Sequence, residues 1–217
     1  MSPLPVLFFD LDGTLIDSES GIVNGIQHVF ASMQQPVPAA GALRSWIGPP
    51  MRDSFQAVFE SPEQVAQALA LYRQRYDTLG WQELTVYPQI PELIAALKHA
   101  GHRLAVVTSK NERSARQILA GLPFGECFEQ IIGASDDGSR RFKVDLIAEA
   151  LARLQLRAEG CVMIGDRRMD IEGAAQHGMR SIGVLWGFGD VEELTKAGAS
   201  HTVDSPTALR ELIAGLA

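Results

Sequence analysis

The sequence predicts an α/β fold, a doubly wound parallel sheet interrupted by an inserted all-α block. Three observations lead there. In Val6-Leu7-Phe8-Phe9-Asp10-Leu11-Asp12-Gly13-Thr14-Leu15-Ile16-Asp17, a short apolar run ends abruptly in two carboxylates. Such a run, bounded by turn residues, suits a strand covered on both faces in a parallel sheet. From Arg103 onward, strand-like and helix-like segments alternate, as they do where crossover helices join parallel strands. Between these regions, Asp17 to Val86 carries helical periodicity and no strand of its own.

The elements follow in order. Ser18 to Met33 has apolar residues at Ile22, Val23, Ile26, Val29, Phe30 and Met33, a helical spacing with Asp17 or Ser18 as N-cap. Pro36 and Pro38 end it. Short helices over 42–47 and 51–59 flank Gly48-Pro49-Pro50. Pro62 takes the first position of a longer helix reaching about Asp77. Val86-Tyr87-Pro88 returns to extended chain, and a helix over 92–100 ends at Gly101 as a C′ glycine. Strands are then expected at 103–108, 128–133, 161–165, 181–185 and 202–203. Helices are expected at 112–120, 143–155, 169–177 and 191–197, with a last one opened by Ser205-Pro206. The expected division is a discontinuous core of residues 1–16 and 87–217 with a helical domain over 17–86.

Composition narrows the function classes. The 217 residues are 46% apolar, enough for a sizeable core. The net charge is −7, and no basic run or stripe occurs. Nucleic acid polymers and anionic membranes are therefore not expected partners. Cys127 and Cys161 lack CxxC spacing and lie in apolar context, which reads as two buried thiols in a reducing compartment. The five histidines are scattered without metal-ligand spacing. The N-terminal apolar run is too short for a signal peptide or a membrane span. A cytoplasmic protein, monomeric or homodimeric, is the expectation.

Polar residues gather where strands end. Val106-Val107 leads into Thr108-Ser109-Lys110, and Val162-Met163-Ile164 into Gly165-Asp166-Arg167-Arg168-Met169-Asp170. Ile131-Ile132-Gly133 leads into an acidic loop and then Lys143 at a helix start. In a parallel sheet these ends share one edge with Asp10, the edge where ligands bind in open α/β sheets. Together they suit phosphoryl transfer. Asp10 is placed to attack phosphorus, and a Mg²⁺ ion on Asp10 and Asp166 would offset repulsion between carboxylate and phosphate. Thr108, nearby main-chain N–H groups and Lys143 would hold the non-bridging oxygens, and Asp12 would move protons. Taken singly, each residue has a plainer use. Asp-x-Asp-Gly is a turn composition, Thr108-Ser109 a helix N-cap, Lys143 a solvated lysine, and Asp166 with Asp170 a pair of first-turn acids. Their joint occurrence in this order reverses the balance.

These motifs resemble the haloacid dehalogenase superfamily of phosphohydrolases. The resemblance rests on Asp10-Leu11-Asp12-Gly13-Thr14, Thr108-Ser109, Lys143, and Gly165-Asp166 with Asp170, and it covers essentially the whole chain. It implies a Rossmann-like core, a helical insert of the C1 cap type, and Mg²⁺ as cofactor. It further implies that Asp10 is nucleophile and metal ligand. Asp12 would be acid/base and bind metal through its main-chain carbonyl. Asp166 would be a metal ligand, and Asp170 a ligand through water or a partner of one. Thr108, Ser109 and Lys143 would bind phosphate. More narrowly, Gly48-Pro49-Pro50, Asp137-Gly138-Ser139-Arg140, Gly165-Asp166-Arg167 and Gly183-Val184-Leu185-Trp186-Gly187 resemble the phosphoglycolate phosphatase-like and 5′-nucleotidase-like branch. Met169 departs from close relatives, where that place is often polar.

The expectation is a phosphatase of a small phosphorylated metabolite, phosphoglycolate first and nucleoside monophosphates second. Asp12 disfavours dehalogenase and phosphonatase chemistry, since those members of the superfamily lack the second aspartate. A sugar phosphomutase and a non-catalytic phosphate-binding module are the competitors. Substrate choice is expected in the helical insert, with Arg52 facing the leaving group and Arg44 and Trp46 nearby. Solvated arginines and a core tryptophan are the plainer alternative. Ser139-Arg140-Arg141 is expected as a solvated loop, with a place at the entrance as the alternative.

Overall fold

The computed structural model describes residues 4–216. Six parallel strands form the sheet: β1 (Val6–Phe9), β4 (Leu104–Asn111), β5 (Gln130–Ala134), β6 (Cys161–Gly165), β7 (Arg180–Val184) and β8 (His201–Val203), in the order β5-β4-β1-β6-β7-β8. β1 lies between β4 and β6, where the strand order reverses, so Asp10 stands at the switch point of the sheet. Side chains alternate along β1. Leu7 and Phe9 join one apolar cluster, while Val6 and Phe8 join the other. The first cluster packs beneath α5 (Ile90–His99), α6 (Glu112–Ala120) and α10 (Pro206–Ala214), and the second beneath α7 (Lys143–Leu154) and α8 (Arg168–Gln176). Burial on both faces explains why β1 reads as an unbroken apolar run.

The helical block consists of α1 (Glu19–Ser32), α2 (Ala40–Arg44), α3 (Met51–Gln56) and α4 (Pro62–Thr78). Ser61 and Gln64 form a capping box ahead of α4, with Pro62 in the first turn. Phe30, Trp46, Phe55, Phe59, Tyr72 and Tyr76 make a chain of ring contacts through the block. Ion pairs tie it to the sheet region, including Arg113 on Asp77 at 2.6 Å and Arg141 on Asp53 at 3.0 Å. Arg167 also donates to the Ile47 carbonyl.

The structure corrects several expectations. The stretch before Tyr87 contains a strand after all: β3 (Thr85–Val86) pairs antiparallel with β2 (Ile16–Asp17), and this ribbon crosses the expected boundary at 16/17 and ends at the one at 86/87. Two-residue strands carry no periodicity that a sequence can display. Ser18 holds the N-cap position of α1 but its side chain makes no capping bond: its hydroxyl donates to Asp12 Oδ1 at 2.5 Å, and the Asp17 carboxylate accepts the Glu19 N–H at 3.0 Å. β4 runs on to Asn111, and the Asn111 side chain caps α6, so Thr108 and Ser109 are free of that duty. Both cysteines are free, but only Cys161 is buried as expected, Cys127 being half-buried. Among the described residues, no helix is long and apolar enough to cross a membrane.

Candidate active site

Three acids converge beyond the carboxyl ends of β1 and β6. One carboxylate oxygen from each of Asp10, Asp166 and Asp170 falls within 4.8 Å of the others, and all three residues are buried. β1 delivers Asp10, whose Oδ1 accepts the Leu11 N–H at 2.8 Å. β6 delivers Asp166. Thr14 donates to its Oδ1 at 3.1 Å, and the Phe188 N–H to its Oδ2 at 2.9 Å. Gly13 at φ +81° permits this approach, since a Cβ there would collide with the Asp166 carboxylate. Asp170, in the first turn of α8, accepts the Arg167 N–H at 3.1 Å.

Among the described residues, a single ammonium enters the group. Lys143 Nζ lies 3.1 Å from Asp10 Oδ1 and 2.7 Å from Asp170 Oδ1, and donates to the Val107 carbonyl at 2.9 Å. Its approach to Asp170 Oδ1 is off the hydrogen-bond direction, so that buried oxygen has no aligned donor. Burial pushes the Asp10 carboxyl up to about 6, with Lys143 pulling it down and Asp170 and Asp12 raising it. Burial, then Asp170 and Asp10, hold Asp166 well above the ordinary carboxylate range. Burial works against the charge on Lys143, but Asp10 and Asp170 more than offset it and keep the amine protonated. The donor set is therefore oxygen-only, buried and short of positive charge, which fits a hard divalent cation.

Asp12 stands apart from this cluster, with Lys110 Nζ 2.9 Å from each of its carboxylate oxygens. The Lys110 side chain is only 7% exposed; burial opposes its charge, but Asp12, Tyr76 and Tyr72 together outweigh it and keep the amine protonated. Thr108 is buried, and its hydroxyl accepts the Lys110 N–H at 3.2 Å.

Asp10, Asp12, Thr108 and Ser109 form the floor of a cleft with about 120 Å³ of free space. The helical block supplies the opposite wall, including Trp46, Met51, Arg52, Tyr72, Arg73 and Tyr76. Arg52 borders the cleft beside Gly138, and among the described residues no carboxylate pairs with it. Arg44 is exposed, near Glu19 and over the Phe188 ring, and does not reach the cleft. Trp46 does both things expected of it, lining the cleft and packing on Phe30 and Phe55. Of the 139–141 loop only Arg141 borders the cleft, while Arg140 is tied to Glu112 and Glu149.

The family described as haloacid dehalogenase-like hydrolase matches residues 7–184. The chain belongs to that family. The hydrolase is 40% identical over 210 residues to the tyrosine-protein kinase PtkA of Mycobacterium tuberculosis, covering 96% of this chain and 72% of that one. It is 39% identical over 210 residues to a 5′-nucleotidase of Pseudomonas aeruginosa, covering 96% and 95%. A phosphoglycolate phosphatase of Pectobacterium atrosepticum is 34% identical over 200 residues, covering 88% and 85%. A solved structure described as a predicted phosphatase from Clostridium acetobutylicum superposes with a TM-score of 0.94 at 35% identity, covering 99% and 100%. The haloacid dehalogenase-like hydrolase is thus a phosphoric monoester hydrolase.

Three residues of this hydrolase's site were not singled out by sequence reasoning. Thr14 belongs to the first motif, yet its bond to Asp166 spans 152 positions. Lys110 directly follows Thr108-Ser109 at a strand end, and that position was the one available signal. Trp186, given no role of its own within the Gly183-to-Gly187 motif, donates its indole N–H to the Thr14 carbonyl at 3.0 Å and steadies the same loop.

Proposed function

We propose that the chain is a Mg²⁺-dependent phosphatase of a small cytoplasmic phosphomonoester, phosphoglycolate-like in size, working through an aspartyl-phosphate. The observation that carries this reading is the buried group of Asp10, Asp166 and Asp170 with Lys143 as the single cation among them. Three carboxylates against one ammonium are costly in a buried place unless a further cation joins them. Asp10 and Asp166 would hold Mg²⁺, helped by Asp170 and by the Asp12 main-chain carbonyl. The ion would neutralise charge between the attacking carboxylate and the phosphate.

The residues divide the chemistry. An Asp10 oxygen attacks phosphorus, and the bond from phosphorus to the leaving oxygen breaks. Its electron pair stays on that oxygen, which takes the proton carried by Asp12. Water then attacks phosphorus, giving one hydrogen to Asp12 and keeping the other, while the bond to Asp10 breaks. Inorganic phosphate leaves, and both aspartates are restored. Thr108, the main-chain N–H groups beside Ser109, and Lys143 steady the non-bridging oxygens. The helical block acts as a cap that excludes bulk water.

Cleft size bears on the substrate. Free space of about 120 Å³ is well below the roughly 300–1,000 Å³ of pockets for drug-sized ligands. That favours a leaving group the size of a short carbon chain. A nucleoside monophosphate is the second reading, favoured by the 39% identical 5′-nucleotidase, and it needs the helical block to swing outward. The test is phosphate release from phosphoglycolate, nucleoside monophosphates, sugar phosphates and an aryl phosphate, with Mg²⁺ and with chelator. Release that requires Mg²⁺ and disappears in Asp10→Asn is the expected result. Sugar-phosphate isomers in place of free phosphate would favour the mutase, and binding without turnover a non-catalytic module.

A further inference from the structure

Lys110 sits where the two walls of the cleft meet. Its ammonium bonds both carboxylate oxygens of Asp12 on the sheet side. It also lies 4.6 Å from the ring centroid of Tyr76, on α4 of the helical block. Tyr76 is 3% exposed and stacks on Tyr72 at 5.6 Å, and Tyr72 meets Phe55 edge-on at 6.2 Å. The Tyr76 hydroxyl is buried with no aligned hydrogen-bond partner, while Lys110 lies over the ring. A desolvated ammonium over an aromatic face is attracted by the ring quadrupole. The helical block therefore reaches Asp12 at two points, directly through the Ser18 hydroxyl ahead of α1 and, from α4, through the ammonium of Lys110.

We propose that Lys110, held against the Tyr76 ring, is a positioning residue that sets the orientation of the Asp12 carboxylate according to the seating of the helical block. The inference rests on the phosphatase reading above, in which Asp12 delivers the proton to the leaving oxygen. With Tyr76 in place, Lys110 is fixed from two sides and Asp12 has one orientation. When α4 moves away, Lys110 loses its aromatic support, and Asp12 keeps the Ser18 hydroxyl on one oxygen but loses the ordered ammonium that bridges both. A proton is then delivered only while the block is seated over the cleft.

Leaving-group dependence tests this, because an alkoxide must be protonated as it departs and a nitrophenolate need not be. We would measure kcat/KM, which reports the steps through the first phosphoryl transfer, for an alkyl phosphate and for p-nitrophenyl phosphate. General acid catalysis contributes roughly 10²–10⁴-fold. Lys110→Met is expected to lower kcat/KM about 100-fold on the alkyl ester and less than about 5-fold on the aryl ester. Tyr76→Leu should act the same way at about 10-fold, the scale of a desolvated cation–π contact. Tyr76→Phe, which keeps the ring, should recover most of that loss. Thermal melts accompany each variant, because Lys110→Met leaves Asp12 unpaired. If Lys110→Met does not fold, the two Tyr76 variants decide. Equal losses on both esters, no loss on either, or Tyr76→Phe as impaired as Tyr76→Leu would overturn the proposal. Wild-type protein that releases phosphate from neither ester would overturn the phosphatase reading, and this inference with it.

Discussion

The sheet wall of the cleft is built from charged residues at strand ends, whereas the wall facing it is built from rings and arginines on α3, α4 and the loops beside them. On the sheet side Asp10, Asp12, Thr108 and Lys143 are all buried, and the two acids and the lysine each lie in an ion pair. On the helical side Trp46 and Tyr72 are half-buried, and Arg52 has no paired carboxylate among the described residues. Buried paired charges tolerate little displacement, because separating them exposes uncompensated charge in a low dielectric. Ring contacts can slide at small cost. The difference assigns chemistry to the fixed wall and selection to the adjustable one.

The largest test of that division is Asp10→Asn. Turnover should fall by at least about 10⁴-fold, as expected for loss of a nucleophile, with the circular dichroism spectrum unchanged. A smaller loss would mean that the sheet wall does not hold the reacting group. On the other wall the expected damage is to stability. Phe55 is fully buried and meets Trp46 edge-on at 5.5 Å, so Phe55→Ala should cost about 3–5 kcal/mol. Thermal unfolding should then fall by on the order of 10 °C. If the melting temperature held, the ring cluster would not be what consolidates the helical wall.

The two walls also differ in how far a sequence discloses them. Asp10, Thr108 and Asp166 each follow an apolar run that is buried on both sheet faces, so their shared edge follows from topology alone. Lys143 follows from its place at a helix start beside that edge. The ion pair of Lys110 with Asp12 spans 98 positions and depends on where β4 bends after Val107, which no local pattern records. Ser18 illustrates a competition between two local uses. The sequence favours a helix cap, but the nearby Asp12 carboxylate offers its hydroxyl an ionised acceptor. Arg52 was legible by residue type and place, while its neighbour in sequence Arg44 turns out to face solvent. Which side of a five-residue helix meets the cleft depends on how the whole block docks.

Acidity offers a finer probe of the sheet wall. In metal-free protein Asp10 titrates near about 6 in place of 3.8 when folded, chiefly because it is buried. A carboxyl raised on folding stabilises the native state below its unfolded value, and that contribution is lost as pH rises through its folded value. The effect is at most about 3 kcal/mol across the window from about pH 4 to pH 6. The readout is the difference in unfolding free energy between the metal-free wild type and Asp10→Asn. The variant should be the more stable protein above about pH 6, and the gap should close as pH falls towards 4. Saturating Mg²⁺ should remove the gap by supplying the charge that burial withholds. A gap that widens on acidification would mean that Lys143 outweighs burial at Asp10.

The smallest expected effect belongs to the helical wall. Arg52 borders the cleft beside Gly138 and is paired with no carboxylate among the described residues. Its removal therefore leaves no charge stranded, and Arg52→Ala should change stability by less than about 0.5 kcal/mol. An unpaired guanidinium at a cleft is suited to an anionic group on the leaving half of the substrate. For phosphoglycolate, whose leaving half carries a carboxylate, KM should rise about 10-fold while kcat changes little, as when binding common to ground and transition states is lost. For p-nitrophenyl phosphate, which lacks that group, KM should move less than about 2-fold. Equal increases for both esters would show that Arg52 shapes the wall without reading the substrate. A fall in kcat with KM unchanged would move it into the chemistry of the sheet side and dissolve the division between the walls.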